Sequence, residues 1–186
     1  DVRGGVNNTL IDLEQNTIVT HNILEAMRKN NIKKLIFSST GSVYGKSNII
    51  PTPEFSPYPL QTSMYGASKV SCEAMISAYC EAFGMQSWIF RFVSILGERY
   101  SHGHVFDFFK KLQNNPKELK ILGNGKQRKS YLYIHDCLNA IMISIKYFKK
   151  QINIINLGHD DYCTVNQSVK WITKNLNLKP KLIYSG

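Results

Sequence analysis

Apolar residues recur at helical spacing in two long segments of the chain. The first segment covers residues 9–30, and its apolar positions are Leu10, Leu13, Ile18, Ile23, Leu24 and Met27. The second runs from Met64 to about Phe83. Ser63 is a suitable N-cap for this second segment, and Gly84 can adopt the left-handed conformation that ends a helix. The pattern therefore predicts two long helices, one in each segment.

Shorter apolar runs and further helical patterns follow one another along the rest of the chain. The predicted strands are 34–38, 86–92, 131–134, 152–156 and a last one that begins at 181. The further predicted helices are 105–112, a helix from the N-cap Asp136 to about Phe148, and a helix through Asn175 that opens with the capping box Thr164–Gln167. Strands separated by long helices are typical of parallel βαβ units. We therefore predict an α/β fold with a doubly wound, mostly parallel, Rossmann-like sheet.

Folds of this kind usually hold the pyrophosphate of a dinucleotide on a Gly-rich strand–turn–helix segment, and the sequence contains none. Gly4-Gly5 and Gly123-Asn-Gly125 lack both the spacing and a following helix. Either the protein binds no dinucleotide, or the half of the fold that binds it lies before Asp1. The chain opens on Asp1 without a methionine and stops at Gly186 after a strand-like run. We therefore expect a piece of a longer fold, without its N-terminal strands.

The composition adds a strong positive charge to this picture. The chain has 186 residues, of which 43% are apolar, and a formal charge of +10. Such a charge could serve nucleic acid, an anionic membrane or a phosphorylated small molecule, but the lysines are scattered and no nucleic-acid motif accompanies them. We therefore expect a lysine-rich solvated surface, with neither nucleic acid nor a membrane as partner.

The cysteines indicate a reducing compartment and no metal site. Cys72, Cys80, Cys137 and Cys163 form no CxxC pair, and no histidine cluster offers ligand spacing. Three of them fall within helical apolar patterns, where a free cysteine behaves as a small hydrophobe. No leader sequence and no apolar run long enough to cross a bilayer is present. We expect a cytoplasmic protein with no metal.

Candidate chemistry begins with Tyr65 and Lys69, which are four positions apart on the second long helix and therefore share one face of it. An ammonium beside a phenol stabilises the phenolate and lowers the phenol pKa, which favours general-base behaviour. The alternative is a pair of surface residues, because such matches are common by chance.

A hydroxyl group comes before this pair. Thr40 follows Ser38 and Ser39 where the predicted strand ends, the place at which α/β sheets carry functional residues. A hydroxyl at that end can meet a helix-borne tyrosine across the crevice. The alternative is a Ser-rich turn whose hydroxyls bind only nearby backbone.

Taken together, these motifs resemble a known family. The sequence has Ser-Ser-Thr-x-x-Val-Tyr-Gly from Ser38, Tyr-Gly-x-Ser-Lys from Tyr65, then Arg91-Phe92 and Gly97. This order resembles the extended short-chain dehydrogenase/reductase family, and within it most closely the NAD-dependent nucleotide-sugar 4-epimerases. The resemblance implies that residues 1–100 are the later part of an NAD-binding Rossmann domain. Residues 101–186 would mostly bind substrate, with 131–160 returning to the Rossmann sheet.

The resemblance also implies roles for individual residues. Tyr65 is the implied acid/base on the sugar 4-hydroxyl, Thr40 shares that hydrogen bond, and Lys69 holds the nicotinamide ribose while depressing the Tyr65 pKa. The implied cofactor-binding residues are Asn16, Ser38, Ser39, Tyr65, Lys69 and Val93. Asn16 departs in part from the family pattern, because the glycine expected after it is Val19 here.

The implied substrate side matches the family less closely. Its residues are Thr40, Ser94, Gly123, Arg128 and Lys129. Ser94 replaces the usual Asn, and Arg128 or Lys129 stands where an Arg would pair with the diphosphate. His102 and His104 fall in a stretch typical of a substrate loop, although loop histidines are usually solvated.

The implied reaction depends on the residues directly after Thr40. The family's 4,6-dehydratases and decarboxylases carry an acidic residue there, whereas this chain has Gly41 and Ser42. The resemblance therefore implies a 4-epimerase acting on a UDP-hexose through a transient 4-keto sugar, with NAD retained. Another nucleotide-sugar dehydratase or reductase, or a non-catalytic nucleotide-binding relative, stays open. A homodimer built on helices 9–30 and 64–83 is also implied.

Overall fold

The computed structural model describes residues 4–57 and 60–185, so Asp1 and Gly186, at the two ends, lie outside the described residues. The helices are α1 (Gly4–Asn7), α2 (Thr9–Asp12), α3 (Val19–Lys29), α4 (Met64–Phe83), α5 (His104–Asn114), α6 (Ile134–Tyr147) and α7 (Val165–Asn175). The strands are β1 (Lys34–Thr40), β2 (Gln86–Phe92), β3 (Ser94–Leu96), β4 (Glu118–Leu122), β5 (Arg128–Lys129), β6 (Tyr131–Tyr133), β7 (Ile152–Leu157), β8 (Cys163–Thr164) and β9 (Lys181–Ser185). These elements fall into two compact units, within residues 1–93 with 136–157 and within 94–135 with 158–186.

The first unit contains a parallel sheet in the order β1-β2-β7. Helices α3 and α4 pack against it through a core of Leu24, Met27, Ile76, Cys80, Met85 and Ile89. The strands end together, because Thr40 pairs with Phe92 and Phe92 pairs with Leu157. The predicted α/β class with parallel strands is confirmed.

Helix α4 has the limits that its sequence predicted. The Ser63 hydroxyl accepts a 3.0 Å hydrogen bond from the Gly66 N–H, which caps the helix N-terminus. Gly84 ends the helix with a φ of 60°, in the left-handed region that glycine tolerates best. Both ends of the helix are therefore set by nearby residues. This start places Tyr65 and Lys69 in the first two turns of the helix.

The first predicted long helix differs in its interior. Between α2 and α3 the backbone forms a π-helix, Leu13–Ile18, so the predicted segment 9–30 is three consecutive helical pieces. Short π-helical stretches within α-helices are frequent at functional sites. This one begins directly after Asp12 and carries Asn16, whose side chain contacts Ser68 of α4.

Other differences concern element limits. Helix α6 begins at Ile134, so Asp136 lies in its first turn and is not the predicted N-cap. Strand β1 extends to Thr40, beyond the predicted end at Ser38. Strands β3, β4, β5 and β8 were not predicted, because runs of two to five residues leave too little periodicity to recognise.

The described residues of the second unit form three two-stranded sheets. The pairs β3–β6 and β4–β9 are parallel, and β5–β8 is antiparallel. Helices α5 and α7 enclose a core of Phe108, Leu112, Leu119, Ile121, Val165 and Val169. The predicted capping box is confirmed, since Thr164 and Gln167 exchange side-chain and backbone hydrogen bonds at the start of α7.

Three predicted core cysteines are buried, with 0% of Cys72, 1% of Cys80 and 2% of Cys137 exposed. All four cysteines of the chain are free. Among the residues that the structure describes, no helix is both long and apolar enough to span a membrane.

A buried ion pair joins α4 to β2. Glu73 and Arg91 are 1% and 2% exposed, and the Arg91 Nη2 lies 2.6 Å from the Glu73 carboxylate. The Ser39 hydroxyl also donates to Glu73, and the Arg91 guanidinium donates to the Tyr44 hydroxyl at 2.6 Å. Removing one partner of such a pair leaves an uncompensated charge in the interior, which is costly. The pair therefore fixes α4 against the ends of β1 and β2.

We expect Glu73→Gln to lower the free energy of unfolding by about 3–5 kcal/mol, because Arg91 would keep its buried charge without a carboxylate. Urea unfolding measures this, followed by Trp88 fluorescence in a Trp171→Phe background so that the signal comes from the first unit. The matched control is Glu81→Gln, which removes the same charge from an exposed position of α4 and should cost less than about 0.5 kcal/mol. Equal losses in the two variants would contradict a special role for the buried pair.

Candidate functional site

The first turns of α4 bring Tyr65 and Lys69 to the carboxyl end of β1. Both side chains are half-buried. The Lys69 ammonium donates a 3.0 Å hydrogen bond to the Ser38 carbonyl and lies 4.7 Å from the centre of the Phe37 ring. Since Ser38 precedes Thr40 by two residues, the ammonium lies beside the last residues of the strand.

Thr40 closes β1 and begins the next element. Its Oγ1 accepts a 3.2 Å hydrogen bond from the Ser42 N–H and so caps a 3-10 helix, Gly41–Tyr44. The same hydroxyl interacts with the Tyr65 phenol. The structure therefore brings the predicted hydroxyl and phenol into contact, and the predicted ammonium binds the Ser38 carbonyl near the end of the same strand.

The ionisation of the phenol differs from the expectation. Burial raises the pKa of Tyr65, and the Asp12 carboxylate raises it further, while the hydrogen bond with Thr40 lowers it. The net shift is upward, so the predicted depression of this pKa by Lys69 is wrong for the arrangement in this structure. The physical reason is that the ammonium is engaged by the Ser38 carbonyl while the phenol is half-desolvated.

The pKa of Lys69 shifts in the opposite direction to that of Tyr65. Burial lowers the pKa of its ammonium, and the nearby Cys72 and Asp12 groups oppose that shift. The pKa values of phenol and ammonium therefore move in opposite directions, because burial disfavours the charged form of each. Such pairs of perturbed groups are concentrated at functional sites.

The remaining predicted cofactor residues have definite partners. The Asn16 amide donates to the Ser68 hydroxyl at 3.0 Å and to the Asp12 carboxylate at 3.4 Å. Ser38 offers its carbonyl to Lys69, whereas the buried Ser39 directs its hydroxyl to Glu73. Val93 follows β2, and its N–H donates to the Leu157 carbonyl at 3.1 Å.

The predicted substrate residues other than Thr40 belong to the second unit. Ser94 opens β3 opposite Tyr131, and Gly123 has a φ of 70° in the turn after β4. Arg128 is exposed, and its guanidinium lies 4.6 Å from the Tyr162 ring centre, whereas Lys129 pairs across β5–β8 with Cys163. Arg128 thus presents a stacked, exposed guanidinium suited to an anion.

The two histidines have different environments. His102 is exposed, and its ring centre lies 5.7 Å from that of Tyr100. His104 starts α5, is half-buried, and contacts Ser168 at 2.9 Å and the Tyr131 hydroxyl at 2.8 Å. Burial, together with the Lys129 charge, lowers the pKa of His104. The His104 imidazole is therefore held by internal partners rather than solvated in a loop.

Sequence reasoning did not identify Asp12 or the pair Glu73–Arg91. Both acidic residues are buried in helical segments: Asp12 precedes the buried Thr20 and Leu24 along the first segment, and Glu73 is adjacent to the buried Cys72. A charged residue on a core-facing stripe is the signal that could have found them, because buried charges are rare unless they are partnered or functional.

Two further features bear on what the structure could bind. An apolar cavity of about 440 Å³ lies within the second unit, and its aromatic lining includes Tyr100, Phe106, Phe109, Tyr131 and Trp171. Within residues 4–57 and 60–185, no group of three His, Cys, Asp or Glu side chains is arranged to hold a metal ion.

Comparison with known proteins gives a family match. The sequence profile of the NAD dependent epimerase/dehydratase family matches residues 2–158. A protein described as a putative UDP-glucose 4-epimerase of Methanocaldococcus jannaschii is 32% identical over 99% of this chain and 60% of its own length.

Solved structures agree in fold. A UDP-galactose 4-epimerase crystal structure superposes with a TM-score of 0.90, at 31% identity, over 100% of this chain and 61% of the other. The UDP-glucose 4-epimerase of Thermotoga maritima with UDP-glucose gives 0.89 at 28% identity, over 99% and 60%. The chain thus spans about 60% of the length of these relatives.

We expect Thr40→Val to raise the pKa of Tyr65 further, by several tenths of a pH unit, because the substitution removes a hydrogen bond that favours the phenolate. The tyrosinate absorbance, measured against a matching Tyr65→Phe variant in each background, isolates this one titration. Thr9→Val, which removes an exposed hydroxyl from α2, serves as the control and should leave the Tyr65 titration in place. A downward or absent shift in Thr40→Val would show that Thr40 does not act on the phenol.

Proposed function

Because the chain belongs to the NAD dependent epimerase/dehydratase family, we propose that it carries the reaction centre of an NAD-dependent nucleotide-sugar 4-epimerase. The observation that carries this proposal is the convergence of Thr40, Tyr65 and Lys69 at the end of β1. This arrangement supplies a proton-transfer group, a hydroxyl that contacts it and a nearby cation in one place. These are the elements needed to take a proton from a sugar hydroxyl and return it.

Tyr65 is the proposed acid/base. A general base must reach the proton that it removes, and a half-buried phenol at a strand end can contact a substrate hydroxyl from one side. Thr40 stabilises the phenolate by its hydrogen bond and can share the proton of the same sugar hydroxyl. Because Tyr65 both accepts and returns the proton, no net acid or base is consumed.

The residues at this end of β1 fit the nicotinamide end of NAD. An ammonium has three N–H donors, and Lys69 directs one of them to the Ser38 carbonyl, which holds the group at the strand end where a ribose hydroxyl could accept another. Bound NAD supplies a hydride acceptor and donor for the sugar carbon.

The fit does not extend to the cofactor's pyrophosphate, because the sequence has no Gly-rich strand–turn–helix segment. NAD bound by the 186-residue chain alone would therefore be held mainly through its nicotinamide riboside half.

We propose a UDP-hexose as substrate. The exposed Arg128, stacked on Tyr162, offers a planar guanidinium for a diphosphate, and Lys129 adds a second charge beside it. The two solved structures described above are a UDP-galactose 4-epimerase and a UDP-glucose 4-epimerase, and the relative from Methanocaldococcus jannaschii is described as a putative UDP-glucose 4-epimerase, which supports the same substrate class.

The residues after Thr40 favour epimerisation over dehydration. The 3-10 helix Gly41–Tyr44 carries no carboxyl group, and Ser42 Oγ lies 3.3 Å from Thr40 Oγ1. A dehydratase needs an acid beside the catalytic hydroxyl to expel water from the sugar, and a hydroxyl cannot replace it. Product analysis with UDP-glucose decides between the reactions, because a 4-epimerase yields UDP-galactose and a 4,6-dehydratase yields a keto-deoxy sugar.

A homodimer is part of the proposal. Helical residues of the segment 9–29 expose large apolar side chains, namely Leu10, Ile11, Leu13, Ile18, Val19 and Ile23. Exposed apolar patches of this kind mark interaction surfaces, and a second copy of the same helices is the proposed partner.

We expect Tyr65→Phe to lower kcat for the interconversion of UDP-glucose and UDP-galactose about 10²–10⁴-fold, because the variant keeps the ring but removes the proton-transfer group. The assay uses the full-length natural protein. Tyr147→Phe, an exposed position of α6, is the matched control. Full activity in Tyr65→Phe would end the proposed mechanism.

We also expect the 186-residue chain by itself to bind NAD weakly, and Lys69→Ala to remove what binding there is. Calorimetric titration measures both. Lys146→Ala, which removes an exposed lysine of the same unit, should change nothing. Tight binding that survives Lys69→Ala would show that the cofactor is held elsewhere.

A further inference from the structure

Asp12 is a buried carboxylate with one oxygen unpartnered. It is 6% exposed, and Oδ2 makes no hydrogen bond to any residue that the structure describes. Oδ1 accepts a long bond of 3.4 Å from the Asn16 amide. An ionised carboxylate in the interior is costly unless it is paired and hydrogen-bonded. Asp12 therefore weakens the fold where a neutral side chain would not, and this cost calls for a functional explanation.

The surroundings of Asp12 connect it to the candidate site. A Cβ on Gly5 would lie 2.6 Å from the Asp12 Oδ2 and 3.1 Å from the Cβ of Met64. The unpartnered oxygen therefore lies close to Gly5 of α1, and Gly5 in turn lies close to Met64, the residue before Tyr65. A side chain at position 5 would displace the carboxylate. The absence of one lets Asp12 approach the N-terminal end of α4.

A hydrogen-bond chain leads from Asp12 to the backbone of α4. The Asn16 amide binds both Asp12 Oδ1 and the Ser68 hydroxyl, and that hydroxyl donates to the Tyr65 carbonyl at 2.9 Å. Ser68 lies between Tyr65 and Lys69 in the sequence, so the chain is anchored on the turn that carries both. The π-helix brings Asn16 to this position, directly after Asp12.

We propose that Asp12 is a positioning residue for the Tyr65–Lys69 pair, which anchors their turn of α4 through Asn16 and Ser68 and sets one negative charge beside both groups. The charge acts on both partners, since Asp12 contributes to the electrostatics of the phenol and of the ammonium alike. It favours protonated Lys69 and disfavours the Tyr65 phenolate. Tyr65 therefore stays a phenol until a substrate hydroxyl or a cofactor reorganises the pair, a last step that rests on the proposed function.

The groups that face the pair come from three elements. Asp12 faces the pair from α2, and Thr40 faces it from the end of β1. Helix α4 itself contributes Cys72, which acts on Lys69 only in its thiolate form. Burial raises the pKa of Cys72, so at neutral pH the thiol is uncharged. Asp12 is therefore the neighbouring carboxylate that acts on both the phenol and the ammonium.

The test is the ionisation of the pair in the chain itself, which requires neither sugar nor cofactor and so is independent of the proposed reaction. Asp12→Asn keeps a carbonyl oxygen for Asn16 and removes the charge. The phenol is followed by carbon NMR of ring-labelled tyrosine, assigned with Tyr65→Phe, and the ammonium by NMR of the lysine side chain, assigned with Lys69→Arg. Glu14→Gln, which removes a charge from an exposed position of the π-helix that directly follows Asp12, is the matched control.

We expect both titration midpoints to fall by several tenths of a pH unit in Asp12→Asn and to stay in place in Glu14→Gln. Loss of the carboxylate relieves the phenolate of repulsion and deprives the ammonium of attraction, so the pKa of each falls. Simple loosening of the packing gives a different signature. Because burial raises the pKa of Tyr65 and lowers that of Lys69, better solvation would move the two midpoints in opposite directions.

Opposite shifts, unchanged midpoints or equal shifts in the control would each overturn the proposal. If Asp12→Asn does not fold, the unsubstituted chain gives the reciprocal measurement. The side-chain carboxyl resonance of Asp12 should then move at the pH at which Lys69 loses its proton, because the two charges interact. A resonance that does not respond there would overturn the proposal as well.

Discussion

The buried ion pair between Glu73 and Arg91 is the interaction on which the candidate site depends. It joins the middle of α4 to β2, and the Ser39 hydroxyl ties β1 to the same carboxylate. Lys69 lies one helical turn before Glu73, and Thr40 directly follows Ser39. The contact that holds the helix against the sheet therefore also sets the distance from the phenol and the ammonium to the strand end.

A buried ion pair seldom adds net stability, since desolvation consumes most of the Coulombic gain. Its value here is directional: a hydrophobic contact would permit α4 to slide along the sheet, whereas a carboxylate shared by Arg91 and Ser39 permits one arrangement. The same network reaches the loop before α4, because Arg91 donates to the Glu54 carbonyl and Tyr44 donates to the Asn156 side chain. The segment after Thr40 is thereby fixed to the ends of β2 and β7.

Charge and burial together set the pKa values of the two groups at the start of α4. Half-burial raises the pKa of Tyr65 and lowers that of Lys69, so each neutral form is favoured. The Asp12 carboxylate opposes this tendency for the lysine and reinforces it for the tyrosine. The resting arrangement thus keeps the proton on Tyr65, while Lys69 binds the Ser38 carbonyl at the strand end. This state suits a centre that must first be organised by what it binds.

The sequence by itself determined the features that depend on neighbouring residues. The α/β class follows from the alternation of helical and strand-like apolar patterns along the chain. The ends of α4 follow from Ser63 and Gly84, and the shared face of Tyr65 and Lys69 follows from their spacing. Only the tertiary structure decided which charges share an interior. Glu73 and Arg91 are buried beside partners remote in sequence, and the pKa of Tyr65 rises because desolvation outweighs its polar contacts. Hydrogen bonds within a helix and its caps are local in sequence, whereas desolvation and Coulomb interactions depend on distances that exist only once the chain has folded.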